Sequence, residues 1–147
     1  MKKLALIAAA ILALAVAPSL AEAQVTHVTI EGGTMSFNFP ANQDTLVSHF
    51  EMCVAVGATP VACTSASTGF APVSITSKAA DPTQPSLNLY KVGPPLPAAL
   101  VPNAAGQSTL IVVRACTGTA VGSGCAAVSA SAAFILDLSS PTNLKVQ

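Results

Sequence analysis

Apolar and polar residues alternate one by one over two stretches of this chain, and a third is apolar on both sides. Met35, Phe37 and Phe39 are separated by Ser36 and Asn38, and Phe50, Met52 and Val54 by Glu51 and Cys53. Ile111, Val113 and Ala115 stand on one side of Thr109–Thr117, with Leu110, Val112, Arg114 and Cys116 on the other. A period of two sends successive side chains to opposite faces, so each stretch predicts a β-strand, and the first two are half-buried with the core side already defined. Weaker apolar runs predict further strands at Val25–Ile30, ended by Glu31-Gly32-Gly33, and at Val61–Thr64, Val73–Thr76, Leu87–Tyr90 and Cys125–Leu138. Pro40–Asp44, Gly57–Pro60 and Gly118–Gly124 read as turns, and Gly93-Pro94-Pro95-Leu96-Pro97 cannot be a central strand because proline lacks the backbone donor. The alanine-rich run 126–133 follows a turn, carries Ser129 and Ser131 and leads into Phe134-Ile135-Leu136, which favours a strand over a helix. About seven short strands without an amphipathic helix make the expected fold an all-β sandwich.

One segment follows a different rule. Lys2 and Lys3 precede an unbroken apolar run, Leu4–Ala17, then Pro18-Ser19 and the small-x-small sequence Ala21-Glu22-Ala23. That order is the pattern of a cleaved signal peptide, and the run is shorter than the roughly 20 residues of a spanning helix. The expected organisation is a signal peptide of bacterial type at 1–23, one domain at 24–138 and a C-terminal tail at 139–147, with no membrane span once the leader is removed. Its expected location is the periplasm or the cell exterior.

Charge narrows the partners. After Ala23 the chain keeps four basic residues, Lys78, Lys91, Arg114 and Lys145, against five acidic ones, Glu31, Asp44, Glu51, Asp81 and Asp137. With no basic stripe, nucleic acid and anionic lipid are unexpected partners, and the low charge leaves little repulsion against self-association.

The four cysteines, Cys53, Cys63, Cys116 and Cys125, all fall after the leader, and an even count in an exported chain predicts two disulfides. Three pairings are open. Spacing favours Cys53 with Cys63 and Cys116 with Cys125, because each pair brackets a segment that reads as a hairpin. No Cys-x-x-Cys occurs and no histidine closely follows a cysteine, so neither a metal nor a cofactor is expected.

Catalytic chemistry finds few candidates. His27 and His49 are the only imidazoles, and no Gly-x-Ser-x-Gly turn accompanies them. Asp44 falls in a turn and Glu51 on the face of its strand away from the core, both ordinary places for charges. Met35 and Met52 occupy core-facing positions, which removes them as soft ligands for copper. The chain is therefore not expected to be an enzyme.

Thr34-Met35-Ser36-Phe37-Asn38-Phe39-Pro40 resembles the second strand of a fibronectin type III domain, and His49-Phe50-Glu51-Met52-Cys53-Val54 its third. Val113-Arg114-Ala115, with Gly124 and Ser129, resembles the sixth strand and the turn into the seventh. The chain departs from that family in having Phe37 where tryptophan is usual, Thr109 where a tyrosine is expected, and a long proline-rich stretch at 65–107; an immunoglobulin-like variant is the alternative. The resemblance implies that the third, fourth, sixth and seventh strands share one sheet. Alternation then turns Cys53 and Cys116 away from the core, so that both disulfides are expected on the solvent side of that sheet; the neighbouring strands that the resemblance implies make Cys53 with Cys116 the second choice of pairing. It further implies a non-catalytic adhesion or binding module that meets a protein or glycan. A structural subunit that self-associates through strand edges or the tail Ser139–Val146 is the alternative function.

Overall fold

The computed structural model describes residues 24–31, 34–93 and 107–135. The expected signal peptide, residues 94–106 of the proline-rich stretch and the C-terminal tail lie outside them. Eight strands are described: β1 (Thr26–Glu31), β2 (Thr34–Pro40), β3 (His49–Gly57), β4 (Ala71–Pro72), β5 (Ser77–Ala80), β6 (Leu87–Val92), β7 (Ser108–Cys116) and β8 (Ala132–Ile135). They form two four-stranded antiparallel sheets in the orders β1-β2-β6-β5 and β4-β3-β7-β8. Among the described residues the only helical element is a 3-10 turn, Ala41–Leu46, which carries the chain from the first sheet to the second.

The alternating residues meet between the sheets. Met35, Phe37, Phe39, Tyr90 and Val92 from the first sheet bury against Phe50, Met52, Ile111, Val113 and Ala115 from the second. Phe50 is the hub of this core. Its ring lies 4.9 Å from Phe37 and 5.4 Å from Phe39, both edge to face, and 4.7 Å from Tyr90. Such offsets place ring edges on ring faces, the arrangement that the aromatic quadrupole favours. Thr109 is the exception on this surface. It is fully buried on the inward side of β7, and its hydroxyl has no partner among the described residues. Thr109→Val keeps the shape and removes the unpaired group, so it is expected to stabilise the fold by about 1 kcal/mol, read from the urea midpoint.

Several weaker segments differ from expectation. Val61–Thr64 forms no strand, because β3 is already flanked by β7 on one side and by β4 on the other. Val73–Thr76 also forms none; it crosses between the sheets. Val73 N–H donates to the Phe50 carbonyl in one sheet and Thr76 N–H to the Lys91 carbonyl in the other. The long final strand is broken too. Only Ala132–Ile135 is a described strand, and before it Ser129 replaces ladder geometry with its side chain: Val113 N–H donates to Ser129 Oγ at 2.9 Å, while Ser129 N–H donates to the Val113 carbonyl at 2.8 Å.

Three of the four sheet edges, at β4, β1 and β5, are blunted. β4 is two residues long and ends in Pro72. β1 has a register shift between Thr26 and Thr29, where His27 takes a left-handed φ of 49°. β5 places Lys78 opposite the inward Tyr90, so an edge-strand lysine faces the space between the sheets, where it pairs with Asp44 at 2.7 Å. Short strands, bulges, proline and inward charges all discourage another strand from adding.

Candidate functional site

The outer face of the β4-β3-β7-β8 sheet is not a solvent face. Glu51, Cys53, Val112, Arg114 and Cys116 point away from the core, as alternation requires, yet all are buried. Two loops cover them. Residues 58–70 bring Phe70, Ala62 and Cys63 onto Cys53 and Val112 as a second apolar cluster, and Val128 joins from the other side. Residues 117–124 fold over the end of β7 as a tight turn, with Thr117 N–H donating to the Gly124 carbonyl and Gly118 N–H to that of Ser123. A side chain at position 118 would stand 2.6 Å from the Ser123 carbonyl, so this turn admits only glycine there.

The disulfides join Cys53 to Cys63 and Cys116 to Cys125, the pairing that spacing favours. Their setting is different from the one expected. Cys53 and Cys116 do lie on the outward side, but the covering loops bury them, and residues 58–63, between the end of β3 and Cys63, are an irregular loop rather than the return arm of a hairpin. Each bridge therefore tethers a loop down onto the sheet. Closing loops of 10 and 9 residues contributes roughly 2–3 kcal/mol apiece by restricting the unfolded chain.

A polar cluster forms the third tether. Register sets Glu51 directly opposite Arg114. Arg114 Nε and Nη2 both donate to Glu51 Oε2, at 3.0 and 2.8 Å, and the two side chains are only 9% and 0% exposed. The other Glu51 oxygen accepts from the Gly122 N–H at 2.7 Å and lies 2.8 Å from His49 Nε2. Arg114 also donates to the Ser65 carbonyl at 3.3 Å, and its guanidinium carbon stands 3.6 Å from the centre of the Phe70 ring. One ion pair thus holds both loops: Ser65 and Phe70 belong to the first, Gly122 to the second. Gly122 has φ +78°, a conformation that aims its N–H at Glu51 and that other residues adopt only under strain.

Burial pushes the Glu51 carboxyl up, but the Gly122 N–H, His49 and Arg114 together outweigh it and hold the group below its ordinary value of 4.5. Asp81, in the loop joining β5 to β6, is lowered to about 2 by the hydroxyl of Thr83, the amide of Asn38 and the backbone N–H groups of Thr83 and Gln84. Depressed carboxylate pKa values add stability above the unfolded values, and that stability is lost as pH falls through the folded ones. The urea midpoint is therefore expected to be level above about pH 5 and to fall steeply between about pH 4 and pH 2, with Asp81→Asn giving a shallower fall.

Beside this cluster, a cleft of about 390 Å³ opens between the sheets, with Phe50, Tyr90 and Val73 at its walls and Asp44, Ser48 and His49 among its polar groups. These are the residue types of a hydrolytic triad, but the geometry separates them. Ser48 Oγ donates to the Thr117 carbonyl, His49 Nε2 faces Glu51, and Asp44 receives Lys78 and Asn88. Nucleophile and base share no hydrogen bond, which is the contact such chemistry requires. His27 lies apart, exposed on β1 beside Thr26.

The ion pair and its loops were not singled out in the sequence as a site. Glu51 and Arg114 each stand at an outward position of a strand, and the register that opposes them is not written in either strand alone. No protein-family model, no curated protein and no solved structure matches the chain.

Proposed function

We propose that this chain is an exported, non-catalytic recognition module of the immunoglobulin or fibronectin type III kind, which engages a partner protein through the two loops fastened over its second sheet. The observation that carries the reading is the triple tether: two disulfides and a buried ion pair fix loops that contribute little to the main core. Binding loops on a rigid scaffold are the usual way in which a sandwich presents a recognition surface. Both loops end in exposed apolar residues, Val61 at 84% and Val121 at 58% exposure. Neither carries a charge, since residues 52–77 and 115–136 contain no Asp, Glu, Lys or Arg.

The strand orders support the fold assignment. In chain order they correspond to A-B-E-D and C′-C-F-G, the arrangement of immunoglobulin-like sandwiches with one additional short strand. Export is supported by the two disulfides, which persist in oxidising compartments, and by the leader pattern at 1–23; among the described residues no helix is long and apolar enough to cross a membrane. A protein partner is favoured over a glycan because every aromatic ring with a described side chain is buried, so no exposed platform for a sugar occurs among the described residues. The blunted edges weigh against a subunit that polymerises by strand addition.

The test is capture from an envelope extract on the immobilised oxidised protein, followed by titration of the captured partner. Val61→Ser and Val121→Ser are exposed substitutions expected to change stability by less than about 0.5 kcal/mol. They should weaken binding about tenfold, and binding should be nearly insensitive to salt because the loops are uncharged. Unchanged affinity in both variants would remove the loops as the binding surface, and recovery of the protein's own chain alone would favour the structural subunit.

A further inference from the structure

A row across the outer face of the second sheet gathers metal-ligand types that are far apart in the sequence. The β3–β7 register sets His49 opposite Cys116, and an isolated bridge sets Cys116 opposite Cys125. An imidazole and two sulfurs therefore stand side by side on three adjacent backbones, where opposed residues have Cβ atoms about 4.5–5.5 Å apart. The ligating atoms of His49, Glu51 and Cys116 all lie within 4.8 Å of one another. Cys125 Sγ is 3.8 Å from Glu51 Oε2. In the oxidised chain the two sulfurs are bonded to each other and the Glu51 carboxylate is engaged by Arg114, so no ligand set is free.

We propose that the reduced chain binds a zinc-class divalent cation through the Cys116 and Cys125 thiolates and the His49 imidazole, so that metal and disulfide are alternative fastenings of the same turn. Two thiolates and a neutral imidazole are a donor set suited to Zn²⁺ and leave one coordination position for water or a carboxylate oxygen. The charges balance locally: two thiolates neutralise the cation, and Glu51 neutralises Arg114 beside it. Glu51 acts as a positioning residue, since its Oε1 holds both His49 and the Gly122 N–H of the turn that carries Cys125.

Each thiol releases one proton when the metal binds. Disulfide formation instead removes two protons and two electrons, which pass to the disulfide of an exchange partner and convert it to a dithiol. The cysteines are synthesised as thiols, so the reduced site exists from the pairing of β3 with β7 until that exchange takes place. Bound metal would hold the 117–124 turn against β7 during this interval and delay oxidation. The inference stands whether or not the loops bind a protein partner.

Titration of the anaerobically reduced protein with Co²⁺, a spectroscopic stand-in for Zn²⁺, tests it. One equivalent per chain should give a thiolate-to-cobalt charge-transfer band, which excess Zn²⁺ displaces and which the oxidised protein lacks. His49→Gln should weaken binding about tenfold or more. Differential alkylation in the presence of Zn²⁺ should protect Cys116 and Cys125 but not Cys53 and Cys63, which assigns the thiols without a cysteine variant that has to fold. Absence of the band from the reduced protein overturns the proposal, as does a band of unchanged affinity in His49→Gln or protection of Cys53 and Cys63 instead.

Discussion

Arg114→Ala is expected to lower stability by about 3–5 kcal/mol, because it strands the Glu51 carboxylate in a fully buried position. The direct loss of two hydrogen bonds to Glu51 is the smaller part. The larger part is desolvation: Glu51 keeps only the Gly122 N–H and His49 as partners, and neither supplies the fixed positive charge that a buried carboxylate requires. The same truncation frees the Ser65 carbonyl and uncovers the Phe70 ring, so the 58–70 loop loses its polar anchor while Cys53–Cys63 still tethers it. Glu51→Leu with Arg114→Met is the informative companion. Buried ion pairs are often replaceable by apolar residues without net loss, so the double variant should recover most of the stability that Arg114→Ala removes. Urea denaturation at neutral pH measures both. A loss under about 1 kcal/mol for Arg114→Ala would mean that water reaches Glu51.

If the pair serves to hold loops for recognition, the double variant separates the two roles. Its stability should approach that of the wild type, whereas hydrogen exchange at Gly122 should accelerate, because the carboxylate that receives its N–H is gone. The ion pair then contributes loop order more than net stability. That division suits a protein whose sheets are already joined by an aromatic core and whose loops carry the exposed valines.

This also explains which parts of the fold were legible in the sequence. Strands β2 and β3 each have a core side marked by alternation, β7 is apolar on both sides, and Phe37, Phe39, Phe50, Met52, Ile111 and Val113 all reach the interior. Alternation fixes which way Cys53, Glu51 and Cys116 point, but says nothing of what covers that side. Phe70, the residue that caps Arg114, lies in a stretch of small residues without a period of its own. Val73-Ser74-Ile75-Thr76 shows the converse failure. Its pattern is that of a strand, yet its first and last N–H groups serve different sheets, a constraint set by the crossing and not by the side chains. The His49–Cys116–Cys125 row was hidden for a related reason, since ligand spacing along the chain cannot reveal neighbours that only the β3–β7 register brings together.

Phe50→Ala should be about as costly as Arg114→Ala, at about 3–5 kcal/mol, but for an apolar reason. Phe50 belongs to the second sheet and touches Phe37, Phe39 and Tyr90 of the first, so its ring is the main bridge between them. Truncation removes buried apolar surface and leaves a cavity that three rings fixed on paired strands can fill only in part. Phe50 also lines the cleft beside Val73 and Tyr90, so part of the space would join the solvent-open side. Phe50→Leu retains much of the volume while losing the edge-to-face contacts, which are worth about 0.5–1.5 kcal/mol each; its cost should fall between wild type and alanine. The disulfides lie on the other face of the β3–β7 pair and do not compensate. Denaturation curves for the two variants, taken with both bridges intact, check the order wild type, leucine, alanine. Equal losses for leucine and alanine would show that ring geometry, rather than filled volume, joins the sheets.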